Sequence, residues 1–61
     1  MKYHIRDATK MGDLYNNYGT LAIKEKDGKY YWGMEGPGNT IDGVEIPEYL
    51  YNALKKYEEA K

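Results

Sequence analysis

The sequence predicts an α+β domain: a small antiparallel β-sheet centred on a hairpin at 20–26 and 29–35, packed against one C-terminal helix at 47–60. Three observations predict it. Two alternating runs flank Asp27-Gly28; an apolar stripe of helical period follows Pro47; and 61 residues with nine Lys and Arg against ten Asp and Glu leave room for one domain spanning 1–61.

From the N-terminus, Lys2 to Ala8 alternates, with Tyr3 and Ile5 on one side and His4 and Arg6 on the other, and reads as a strand. His4 then faces away from Ile5, toward the surface. Residues 9–19 have no clean period and read as a loop that can extend the following strand. Asn16-Asn17 fits a turn there, or the end of a one-turn helix started by Asp13. The hairpin is the most legible element. Asp-Gly between alternating runs favours a two-residue type I′ turn, because both central positions need positive φ. The turn sets the register: Lys26 faces Lys29, Glu25 faces Tyr30, Lys24 faces Tyr31, Ile23 faces Trp32, Ala22 faces Gly33 and Leu21 faces Met34. Alternation then puts Leu21, Ile23, Trp32 and Met34, with Tyr30 at the edge, on an apolar face that must be covered. Thr20, Ala22, Lys24, Tyr31 and Gly33 take the other face.

Gly36-Pro37-Gly38-Asn39 is a second turn, and Thr40 to Ile46 is expected to supply a short strand. In the helix, Pro47 suits the first helical position and Glu48 the positive end of the dipole. Leu50, Ala53, Leu54 and Tyr57 form its expected core face, with Tyr49 and Tyr51 about 100° to either side of Leu50.

The residues that are missing restrict the chemistry. With no Cys, no Ser and one His, thiol and serine nucleophiles and thiolate metal sites are excluded, and no disulfide requires an oxidising compartment. Met1 to Arg6 carries no apolar run of the signal-peptide or membrane-spanning kind. The expectation is a cytoplasmic, non-enzymatic protein with no cofactor or metal. Asp42 and Glu45 do not match a calcium loop. The glycines at 33, 36, 38 and 43 read as turn punctuation rather than a phosphate loop, since no Gly-Lys-Thr follows.

Leu, Ile and Val together number nine, and Phe is absent, so the aliphatic core is thin for a chain of this length. Homo-oligomerisation is therefore expected. The aromatic content is the distinctive positive signal: eight Tyr and one Trp. Tyr3, Trp32 and Tyr57 belong to expected core faces. Tyr31 stands on the opposite face beside the small pair Ala22 and Gly33, a flat patch with Lys24 directly across. Tyr15 and Tyr18, with Asn16 and Asn17 between them, make a polar aromatic segment of the kind used in adaptable binding surfaces. The expected ligand-binding residues are Arg6, Tyr15, Asn17, Tyr18, Lys24 and Tyr31. Exposed rings stack on bases, but a nucleic-acid polymer demands a basic block that the chain lacks. A small nucleotide needs only Arg6, Lys24 and a few backbone N–H groups.

In size, acidic balance and aromatic content, and in Gly28-Lys29-Tyr30-Tyr31-Trp32-Gly33 and Glu45-Ile46-Pro47-Glu48-Tyr49-Leu50, the chain resembles small bacteriophage host-takeover proteins. Among these it is similar in general character to the anti-CBASS sponge proteins, which sequester cyclic-nucleotide immune signals in oligomeric, aromatic pockets. The resemblance implies action in the host cytoplasm, immune evasion, and a cyclic dinucleotide stacked between symmetry-related tyrosines. Anti-CRISPR and other counter-defence proteins share these gross features and imply instead a host protein as partner, bound and inhibited.

Overall fold

The computed structural model describes residues 1–16 and 19–60, and of 13–16 the backbone only. The α+β class predicted from sequence is the class observed, with antiparallel strands packed against a single C-terminal helix. Asp27 and Gly28 take φ of 54° and 78°, as the hairpin turn requires. They join β3 (Gly19–Lys26) to β4 (Lys29–Met34) in the expected register, from Lys26↔Lys29 to Leu21↔Met34.

Around this hairpin a four-stranded sheet runs in the order β2-β3-β4-β6, with β2 at Thr9–Asn16 and β6 at Val44–Ile46. The expected loop at 9–19 is therefore corrected over its described part, which is a strand. Its irregular pattern has a physical source. Thr9 and Lys10 pair with Ile23 and Ala22, whereas Tyr15 and Asn16 pair with Thr20 and Gly19. Four β2 residues thus lie opposite the single residue Leu21, and a bulge of this kind resets the alternation. The turn expected at Asn16-Asn17 involves Asn17, which lies outside the described residues.

The single strand expected at Thr40 to Ile46 is two. β5 (Thr40–Asp42) pairs with β1 (Lys2–His4) in a separate two-stranded sheet, and β6 pairs with β4. Gly43 stands at the crossover. Its N–H donates to the Met1 carbonyl (2.6 Å), and the Met1 ammonium donates to the Gly43 carbonyl (2.7 Å). The Tyr3 ring lies so close to the Gly43 backbone that a side chain there would clash. The strand expected from Lys2 to Ala8 stops at His4, because Ile5–Asp7 tightens into a 3-10 turn. His4 Nδ1 accepts the Arg6 N–H at 3.1 Å, and the Ala8 N–H returns to the Ile5 carbonyl at 3.1 Å.

Each face of the four-stranded sheet is covered. On one, Met11, Ile23, Ile46 and Tyr51 form a buried cluster with Leu21, Tyr30, Trp32, Leu50 and Leu54 packed around it. On the other, Tyr3, Ala22 and Ile41 are buried, with Ile5, Ala8 and Tyr31 against them. The helix α1 (Glu48–Glu59) is one residue shorter at each end than expected, and Pro47 is its N-cap at ψ 153°. It is also rotated from its expected orientation. Tyr51 is buried, while Ala53 and Tyr57 are exposed. The connection explains this: Ile46 points into the core and the helix begins two residues later, which turns Tyr51 onto Tyr30 with ring centroids 4.7 Å apart and planes tilted 42°.

Candidate anion-binding face

Three of the expected ligand-binding residues gather at one end of the sheet. The turn at Ile5–Asp7 lies against β2, and from β3 Lys24 Nζ reaches it, donating to the Asp7 carbonyl at 2.9 Å. Arg6, the preceding residue, is exposed. Tyr31 is the cross-strand partner of Lys24, so the two side chains stand on the same face. The Lys24 ammonium also sits 5.7 Å from the centre of the Tyr3 ring, within cation–π range. One hydrogen bond to a carbonyl and one aromatic face hold the cation in place without neutralising it. Among the described residues its remaining N–H groups have no other acceptor and can meet an anion.

The flat patch expected beside Tyr31 does not exist. Ala22 and Gly33 are small because Ile41 of β5 fills the space above them: a Cβ at Gly33 would stand 2.6 Å from Ile41 Cγ2. Tyr31 is accordingly half-buried against the Tyr3–Ala22–Ile41 cluster rather than fully open for stacking.

The remaining expected site residues lie elsewhere. Tyr15 is in β2 opposite Thr20, four residues along β3 from Lys24, or about 13 Å at the strand rise. Its side chain, with Asn17 and Tyr18, is outside the described residues. At the backbone, Tyr15 is thus separated from Lys24 and Tyr31 along the sheet.

Two cations were missed as site residues, although the sequence carried the signal. By alternation Lys26 shares the face of Lys24, and Lys29 that of Tyr31. They are paired directly across the hairpin, both exposed, and neither makes an ion pair among the described residues. Glu25 takes the opposite face with its partner Tyr30, whose hydroxyl donates to Glu48 Oε2 at 3.3 Å. Partial burial, followed by the charges of Glu48 and Glu25, raises the Tyr30 pKa above its ordinary value. The three hairpin lysines Lys24, Lys26 and Lys29 thus share the β1 side of the sheet, with Glu45 of β6 at its border opposite Tyr31, while Glu25 takes the helix side.

Among the described residues there is no enclosed pocket, and no group of three or more His, Asp or Glu is placed to hold a metal ion. No helix among them is long and apolar enough to cross a membrane. Comparison of the chain with protein-family models, with curated proteins and with solved structures gives no match.

Proposed function

We propose that the chain is a non-catalytic binding protein that sequesters a small phosphate-bearing nucleotide, a cyclic dinucleotide being the favoured class. The observation that carries the reading is the held Lys24 ammonium, with Arg6 in the adjoining turn and Tyr31 directly across. A fixed cation beside a second, guanidinium donor is what a phosphate needs. Ligand enclosure requires more than one copy of the chain. A small-molecule site typically has several hundred Å³ of volume, and the Cα extents of 28 × 27 × 15 Å leave a disc too thin to contain one. A homo-oligomer supplies the missing walls and repeats the Tyr31 and Lys24 pair around a symmetry axis. The same arrangement fits the counter-defence role implied by the phage resemblance, since sequestration asks for affinity without turnover.

One observation favours a second reading, a protein-binding inhibitor of a host factor. Val44 and Tyr49 are 63% and 77% exposed, and large apolar side chains of this kind anchor protein interfaces. Calorimetry against cyclic di- and trinucleotides separates the two. The nucleotide reading expects saturable binding, recovery of intact ligand after denaturation, and about tenfold weaker affinity in Lys24→Ala. Absence of binding across the panel, combined with stoichiometric capture of one host protein that Tyr49→Ala abolishes, would favour the inhibitor.

A further inference from the structure

Lys26 and Lys29 face each other at the end of the hairpin with Cβ atoms expected about 5 Å apart, an arrangement in which like charges oppose folding. Charge inversion at either position would relieve the repulsion at no cost in packing, because both side chains are exposed. Among the described residues neither lysine makes an ion pair. Lys24 lies on the same face, two residues from Lys26, about 7 Å along the strand. The carboxylates bordering this face are Asp7 beside Arg6, Asp27 in the turn and Glu45 opposite Tyr31 on β6. Glu45 closes the β6 side to an anion by repulsion, which confines it between Lys24 and the Lys26–Lys29 pair.

We infer that a single hairpin binds two phosphate groups of one ligand, the first at Lys24 and Arg6 and the second between Lys26 and Lys29. This rests on the nucleotide reading and extends it, because the second phosphate then needs no cation from a neighbouring subunit. The ligand class is one with two phosphates no more than about 8 Å apart, the span of the three lysines, whose flexible side chains can also close on the adjoining phosphates of a diphosphate. A diphosphate and a compact cyclic dinucleotide share that chemistry.

Lys29→Glu is the decisive variant. It places opposite charges across the hairpin, so its melting temperature should rise, and it removes the second phosphate site, so affinity for a cyclic dinucleotide should fall about five- to tenfold. Lys29→Gln should weaken binding in the same direction, and Glu45→Gln should strengthen it. Titrations with a cyclic dinucleotide and with inorganic pyrophosphate distinguish the two ligand sources. Binding of pyrophosphate alone, lost in Lys29→Glu, would support the two-phosphate hairpin and reject the nucleotide. Unchanged nucleotide affinity in both Lys29 variants would overturn the inference while leaving the nucleotide reading intact. Failure of the unsubstituted protein to bind either probe would overturn both.

Discussion

Tyr3 concentrates several demands in one side chain. The residue is 7% exposed, its ring sits under the Lys24 ammonium and packs on Gly43, yet its hydroxyl is buried with no hydrogen-bond partner among the described residues. A buried hydroxyl left unpaired costs about 1–3 kcal/mol. Tyr3→Phe keeps the ring and removes the orphan, so denaturant unfolding should show it equal to or up to about 1 kcal/mol more stable than the parent; a loss of 1 kcal/mol or more would mean the hydroxyl is paired. Burial also raises the Tyr3 pKa, and Tyr30 is shifted in the same direction. A group whose folded pKa lies above its unfolded value contributes stability that is complete below the unfolded pKa, near 10 for tyrosine, and is lost as pH rises through the folded value. Melting temperature should thus fall above about pH 10, and less steeply in a Tyr3→Phe, Tyr30→Phe double variant. Identical alkaline profiles would contradict the shifts. Gly33 shows the limits of reading residues singly. Its pairing with Ala22 was visible in the sequence, but a small pair on a sheet marks either open surface or a tight contact, and only Ile41 decides between them.

Elements differ in legibility according to how local their determinants are. The hairpin depends on two adjacent residues and alternation, and its register was readable in full. The β2 strand depends on pairing with β3 across a bulge, which scrambles the period from which a strand is recognised. The split of Thr40 to Ile46 left no trace in alternation: Ile41 and Ile46 are an odd number of residues apart, so one continuous strand would also send them to opposite faces. They do serve opposite cores, but through two strands in two sheets. The helix was recognisable as an element, whereas its rotation depends on the connection from Ile46. That rotation makes a testable distinction. Tyr51→Ala should cost about 3 kcal/mol or more, as for a buried aromatic, and Ala53→Glu should stay within about 0.5 kcal/mol, as for an exposed position. A large loss in Ala53→Glu with little in Tyr51→Ala would restore the orientation expected from the Leu50, Ala53, Leu54 and Tyr57 stripe.

At the scale of the whole molecule, the β1–β5 pair, the four-stranded sheet and α1 make three layers in a chain of 61 residues. Covering both sheet faces uses the aromatic side chains that a thin aliphatic core lacks: Tyr3 on one side, Tyr30, Trp32 and Tyr51 on the other. This accounts for much of the tyrosine content without reference to a ligand. It also explains why the expected site was only partly legible: Lys24 and Tyr31 are cross-strand partners and Arg6 lies in the turn that Lys24 touches, but Tyr31 is shared with the second core. The central claim is that copies of this disc assemble around a phosphate-bearing nucleotide and hold it unchanged. Native mass spectrometry tests it most directly, on protein purified from its own cells and again after addition of cyclic dinucleotides. The expected result is a complex of two or more 7.1 kDa chains carrying a nucleotide of intact mass, with binding weakened in Lys24→Ala. A bare single chain that takes up no nucleotide in either preparation would contradict it.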